Sequence, residues 1–147
     1  MAQREPWYVD GLRFACTQCG NCCTGAPGYV WVSEDEIAAL ARLRGMEAEA
    51  FRERHTRRVG RRRSLLEHAN GDCEFLATTP DGRRVCSVYQ ARPLQCRTWP
   101  FWQSNVSSRR AWAGAALGCP GMNKGALHEL PVIRAALDQN RAADLPL

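Results

Sequence analysis

Four thiols within eight positions, Cys16-Thr17-Gln18-Cys19-Gly20-Asn21-Cys22-Cys23, constrain this chain more than any other stretch. The spacing is C-x-x-C-x-x-C-C, with Gly20 inside it and Gly25 just beyond. Two-residue gaps let successive thiolates turn onto one ion, and glycine permits the tight backbone this needs. Buried cysteines also act as small hydrophobes, but no packing argument calls for four sulfurs so close together. Neighbouring side chains diverge, so Cys22 and Cys23 serve two sites, or one polynuclear cluster, more easily than a single mononuclear ion. Cys73, Cys86, Cys96 and Cys119 bring the total to 8 cysteines, enough for two tetrathiolate sites. All eight are candidate ligands. On the spacing, Cys16, Cys19 and one of the tandem pair close on one centre, while the other member of the pair is directed to thiols among Cys73, Cys86, Cys96 and Cys119.

The segment Met1-Ala2-Gln3-Arg4-Glu5-Pro6-Trp7 has no apolar core of the kind a secretory signal requires. The longest apolar stretch, Ala111 to Leu117, is far too short to cross a bilayer. The expectation is a cytoplasmic protein, in which cysteines at this spacing are metal ligands rather than disulfides. The formal charge of +5 counts cysteine as neutral. Eight thiolates on two dications would lower it by four, to +1, so part of the basic excess would balance the sites. At 147 residues the chain reads as one domain, 1–147, with its motif-bearing core over 14–121.

Along the chain, Trp7 to Phe14 is an apolar lead-in that would pack over the cysteine loop. Gly28 to Val32 reads as a strand. Ser33-Glu34-Asp35-Glu36 is a capping box that opens a helix carrying Ile37, Leu40 and Ala41 on one face, closed by Gly45. A second helix is expected from about Glu47 to Val59. Asp72–Leu76 and Arg84–Tyr89 read as two strands joined at Pro80-Asp81-Gly82, which would put Cys73 and Cys86 on paired strands. Arg92 to Arg97 opens a helical turn at Pro93, Ala111–Leu117 reads as a strand, and Pro131 to Arg141 as a closing helix. No internal repeat, low-complexity tract or domain boundary is visible.

The remaining chemistry is sparse. Arg57, Arg58, Arg61, Arg62 and Arg63 form a basic run around Gly60. No aromatic residue is interleaved within it, so it reads as a solvated segment rather than a nucleic-acid site. His55, His68 and His128 form no metal motif, and neither a Walker A sequence nor G-x-G-x-x-G is present. Arg92 and Arg97 flank Cys96. A tetrathiolate centre of Zn²⁺ or of a 2+ iron–sulfur core carries a net charge of about −2, which an adjacent guanidinium would offset while donating to sulfur.

The ferredoxin spacing is not met, because Cys23 follows Cys22 directly, although Cys119-Pro120 echoes its closing dipeptide. Phe14 to Cys23, Cys73-Glu74-Phe75-Leu76, Cys86-Ser87-Val88-Tyr89, Arg92-Pro93-Leu94-Gln95-Cys96-Arg97-Thr98-Trp99-Pro100-Phe101 and Cys119-Pro120-Gly121 together resemble the CxxCxxCC family, also called YkgJ-like cysteine-cluster proteins. The usual proline after the cysteine before Phe-Leu is Glu74 here. The resemblance implies zinc or iron chelation and supplies no reaction. Some flagellin lysine methylases are similar in their cysteine motif and carry an iron–sulfur cluster, but they are longer proteins.

The expected fold is α+β, a small metal-centred domain with short helices, a β-hairpin and long loops. The expected function is binding of a zinc or iron–sulfur centre, as a metal or redox carrier with a protein redox partner. An iron–sulfur enzyme or enzyme subunit for electron or group transfer, and a zinc-dependent nucleic-acid-binding module using Arg57 to Arg63, are the alternatives.

Overall fold

The computed structural model describes residues 4–16, 29–68 and 72–147. The fold is α+β, with short antiparallel strands and helices of modest length. The chain divides into two compact units: residues 1–17 with 98–147, and residues 18–97. No described helix is long and apolar enough to cross a membrane.

The first unit pairs β1 (Leu12–Phe14) antiparallel with β7 (Met122–His128). Around this ribbon lie α4 (Gln103–Val106), α5 (Arg109–Ala116) and α6 (Leu130–Ala142). Ile133, Leu137 and Asn140 are buried at helical spacing on α6, whose first turn accommodates Pro131. With Leu12, Phe101, Val106, Trp112 and Met122, the two apolar residues Ile133 and Leu137 form one core. The strand expected at Ala111–Leu117 is instead helix α5. Its four alanines are the strongest helix formers, and Ser108 caps its start by accepting from the Ala111 N–H.

The second unit holds a three-stranded sheet, in the order β2 (Trp31–Val32), β4 (Arg62–Leu65), β3 (Thr56–Val59). Helices α1 (Glu34–Leu43) and α2 (Ala48–His55) pack on each other. The capping box forms as read: the Glu36 N–H donates to Ser33 Oγ at 3.1 Å, and the Ser33 N–H returns to Glu36 Oε1 at 3.0 Å. Ile37, Leu40, Ala41, Phe51, Leu65, Phe75 and Val88 make the core. The second helix ends earlier than the expected Val59. Thr56 and Val59 are β-branched, and Gly60-Arg61 makes a two-residue hairpin turn with Gly60 at φ +61°, so residues 56–65 fold as a hairpin.

The second hairpin joins β5 (Leu76–Thr78) to β6 (Arg84–Cys86). Its turn is organised by Asp81, which accepts from the Thr79 hydroxyl and from Arg83 Nε. The Thr79 hydroxyl bond, chiefly, holds the Asp81 carboxyl below the usual carboxylate range. A depressed folded-state pKa means the contribution is present above the unfolded value and lost as pH falls through the folded one. The protection factor of the Arg83 N–H, the exchange rate of an unstructured amide at the same pH divided by its own, is therefore expected to fall under acid in the native chain. The same amide in Asp81→Ala should exchange faster already at neutral pH.

Candidate metal centre

In the first unit, two thiol-bearing segments are held together by their backbones. The Ala15 N–H donates to the Gly121 carbonyl at 3.1 Å. A Cβ at Gly121 would lie 2.0 Å from the Ala15 oxygen, and one at Gly125 would lie 2.3 Å from the Ala15 Cβ. Only glycine at both places lets β1 approach this closely. Cys16 follows Ala15, and Cys119 begins the turn Cys119-Pro120-Gly121-Met122, closed by the Met122 N–H donating to the Cys119 carbonyl at 3.1 Å. Pro120 at the second place of the turn supplies a fixed φ. The strand register slips between Arg13 and Phe14, and the extra residues on β7 include Asn123 at φ +66° and Gly125 at φ +76°. Trp112 Nε1–H donates to Asn123 Oδ1 at 2.9 Å and fixes that bend.

Cys16 is exposed and Cys119 half-buried. Trp99 Nε1–H donates to Cys119 Sγ at 3.4 Å. Such a bond is the kind of outer contact that tunes a metal-bound sulfur. Trp99 was not singled out from the sequence. The signal available was its place in the Thr98-Trp99-Pro100-Phe101 motif.

In the second unit, Cys73 is 7% exposed, and Cys86 and Cys96 are half-buried. The expected pairing of Cys73 and Cys86 on facing strands does not form. Cys86 lies on β6 opposite Leu76, whereas Cys73 precedes β5, in a bridge with Glu67. A turn closed by the Leu76 N–H on the Cys73 carbonyl takes up the intervening residues. Both sulfurs nevertheless meet the same apolar cluster around Phe75 and Val88. The Ser87 N–H and hydroxyl each donate to the Phe75 carbonyl at 2.8 Å, tying the two segments together.

Cys96 rides on α3 (Leu94–Thr98), a single turn that needs outside support. Glu36 gives it: beyond its own capping box, its Oε2 accepts from the Leu94 N–H. Gln95, 7% exposed, accepts from the Trp31 N–H at 2.9 Å and donates to the Tyr29 carbonyl at 2.8 Å. It thus anchors β2, the segment that follows the cysteine loop, to the helix bearing Cys96. Gln95→Ala should cost roughly 2–4 kcal/mol, since it strips two backbone groups of their partner. Urea unfolding measures the loss, and Gln95→Glu should recover only the bond from Trp31. A glutamine beside a cysteine gave no sequence signal of this role.

Arg92 stacks on Tyr89, its Cζ 3.8 Å from the ring centroid, and donates from Nε to the Tyr89 carbonyl. Arg97 donates from Nε to the Arg92 carbonyl at 3.0 Å and stands 4.0 Å from Glu36 Oε2. Cys19, Cys22 and Cys23 lie outside the described residues, as does most of the loop that carries them. Among the described residues, no three of His, Cys, Asp and Glu gather into a group that could hold a metal ion. The donor chemistry fits a thiophilic metal all the same. The candidates are all sulfur, Cys119 receives an N–H bond, and Cys73 sits among apolar side chains.

The CxxCxxCC family model, described as a putative zinc- or iron-chelating domain, matches residues 15–120. No solved structure matches the chain.

Proposed function

Because the chain belongs to the CxxCxxCC family, we propose that it binds zinc or iron–sulfur, in one centre or more, through thiolates drawn from Cys16, Cys19, Cys22, Cys23, Cys73, Cys86, Cys96 and Cys119. Its role is that of a metal or redox carrier. The observation that supports this reading best is the Trp99 indole aimed at Cys119 Sγ, in the turn pressed against the segment bearing Cys16. A neutral, packed cysteine gains little from such a donor, whereas a thiolate gains a charge-assisted bond. The chain's own residues divide the remaining tasks. Trp99 stabilises charge on one sulfur, Phe75 and Val88 keep water from Cys73 and Cys86, and Gln95 and Glu36 fix the helix under Cys96. When bound, an iron–sulfur core supplies electron transfer and a zinc ion a closed structural centre.

The test is elemental analysis with an absorbance spectrum on protein purified without oxygen. At least one zinc or iron core per chain is expected, with visible charge-transfer bands in the iron case. Trp99→Phe should retain the fold while losing metal to a competing chelator roughly tenfold more readily. A well-folded, metal-free chain overturns the proposal.

A further inference from the structure

We infer that Asn140, on α6, is a positioning residue of the sulfur centre: through Thr98 it sets the Trp99 indole on Cys119. The inference rests on the metal reading of the same site and names a residue that lies outside the cysteine motifs. Asn140 follows Ile133 and Leu137 at helical spacing, so it occupies a core place on α6. It is 5% exposed, and an apolar side chain is what such a place calls for. Asparagine is also a poorer helix former than leucine. One of its two side-chain polar atoms is satisfied: Oδ1 accepts from the Thr98 hydroxyl at 3.0 Å. The other, Nδ2, is buried with no hydrogen-bond partner among the described residues. A single neutral hydrogen bond does not offset an amide left unpaired in the interior. Asn140 therefore weakens the fold where leucine would strengthen it, and what its one bond holds in place accounts for it.

That bond holds the segment Thr98-Trp99-Pro100-Phe101. Thr98 is buried, and its carbonyl accepts from the Phe101 N–H at 2.7 Å. The Pro100 carbonyl accepts from the Trp102 N–H at 2.9 Å and from Asn105 Nδ2 at 3.0 Å. The turn is thus braced within itself, and its first residue is tied to α6 through Asn140. The anchor is firm, because Ile133 and Leu137 of α6 share a core with Phe101. Trp99 projects from this turn. Trp102 meets its indole edge-on, with ring centroids 4.9 Å apart, and Nε1–H donates to Cys119 Sγ at 3.4 Å. Hydrogen bonds weaken steeply with angle, so a small rotation of the turn loosens the contact on sulfur. All of these residues lie in the first unit.

The experiment compares Asn140→Leu, Thr98→Val and Thr98→Ser with the native chain, all metal-loaded. Leucine matches the branching of asparagine, and the cleft of about 200 Å³ that Asn140 lines with Gln103, Leu137 and Leu145 gives room for its fuller methyl groups. Thr98→Val keeps the shape and loses the hydroxyl, whereas Thr98→Ser keeps the hydroxyl. Ultraviolet resonance Raman, read as the difference from Trp99→Phe, follows hydrogen bonding at the Trp99 indole nitrogen with either metal. Asn140→Leu and Thr98→Val should shift that band toward a free indole. Both should also lose metal to a competing chelator about tenfold faster. Thr98→Ser should match the native chain in both readouts. The fully loaded Asn140→Leu should melt at or above the native midpoint, which a merely structural role for Asn140 does not allow. Combined with Trp99→Phe, it should add no further metal loss, because both act on one contact. A chain that purifies without metal overturns the metal reading, and the Raman difference then still decides the positioning. Two results would overturn the inference with that reading intact. One is a native Raman band and a native chelator rate in both Asn140→Leu and Thr98→Val. The other is a loss in Asn140→Leu that adds in full to that of Trp99→Phe.

Discussion

Replacing both Cys22 and Cys23 by serine is expected to strip the chain of its metal and, with it, most of its stability. Thiolate sites contribute on the order of 10 kcal/mol at neutral pH, against a net stability of roughly 5–15 kcal/mol for a domain. Spacing sets the tandem pair apart from the other thiols. Under the proposed function, the two-residue gaps suit closure of Cys16, Cys19 and one of Cys22 or Cys23 on one centre, and the other member of the pair would serve a second. Cys16→Ser should then mainly empty one centre, whereas the double variant damages every site the pair serves. The measurements are metal per chain and the thermal midpoint of each variant. Arg61, Arg62 and Arg63 replaced together by glutamine provide the contrast: no thiol lies in that stretch, so metal content should hold. A double variant that keeps its full metal and its midpoint would reduce the tandem to a packing feature of the loop.

The parts of the fold legible in the sequence are those specified over a few residues. Ser33 and Glu36 make a capping box because both partners lie within one turn, and Pro80-Asp81-Gly82 makes its hairpin turn for the same reason. The matched family could also be recognised from the cysteine spacing, which is local. Misreadings arose where local preference was ambiguous. Ala111–Leu117 is apolar in a manner that suits a strand or a helix, and the Ser108 cap with four alanines decides for the helix. The stretch from Thr56 to Leu65 carried a Gly-x hairpin signal masked by its charge. What no local pattern could reveal depends on contacts across long separations. Gln95 reaches Tyr29 and Trp31 over more than sixty residues, and Trp99 reaches Cys119 over twenty. Strand β7 is similar: Asn123, Lys124 and Gly125 are poor strand formers, and they fall in the bulge between the pairs Phe14–Met122 and Arg13–Leu127, with Asn123 and Gly125 at positive φ.

Gly121→Ala should destabilise the chain strongly although it adds only one methyl group. The added Cβ would stand 2.0 Å from the Ala15 oxygen and 3.0 Å from its carbonyl carbon. Both are backbone atoms, so no rotamer change relieves the clash and β1 must move off the Cys119 turn. The bond from the Ala15 N–H to the Gly121 carbonyl is lost with that movement. Overpacking and the broken bond together cost roughly 2–4 kcal/mol, about 10 °C in the thermal midpoint. Metal per chain should fall as well, because the displaced segment carries Cys16. Gly125→Ala clashes differently, its Cβ 2.3 Å from the Ala15 Cβ, at a backbone φ of +76°. Ala15→Gly removes the atom it meets, so the pair Gly125→Ala with Ala15→Gly should regain part of the stability, less the strain of the left-handed backbone. The same Ala15→Gly change cannot rescue Gly121→Ala, since the atoms struck there are backbone. Gly114→Ala is the control: in α5, with nothing within 4 Å of the new Cβ, it should stabilise by roughly 1 kcal/mol and leave metal unchanged. If Ala15→Gly rescued both variants equally, or Gly121→Ala melted and bound metal like the native chain, the close approach of β1 to the Cys119 turn would not be what holds these segments together.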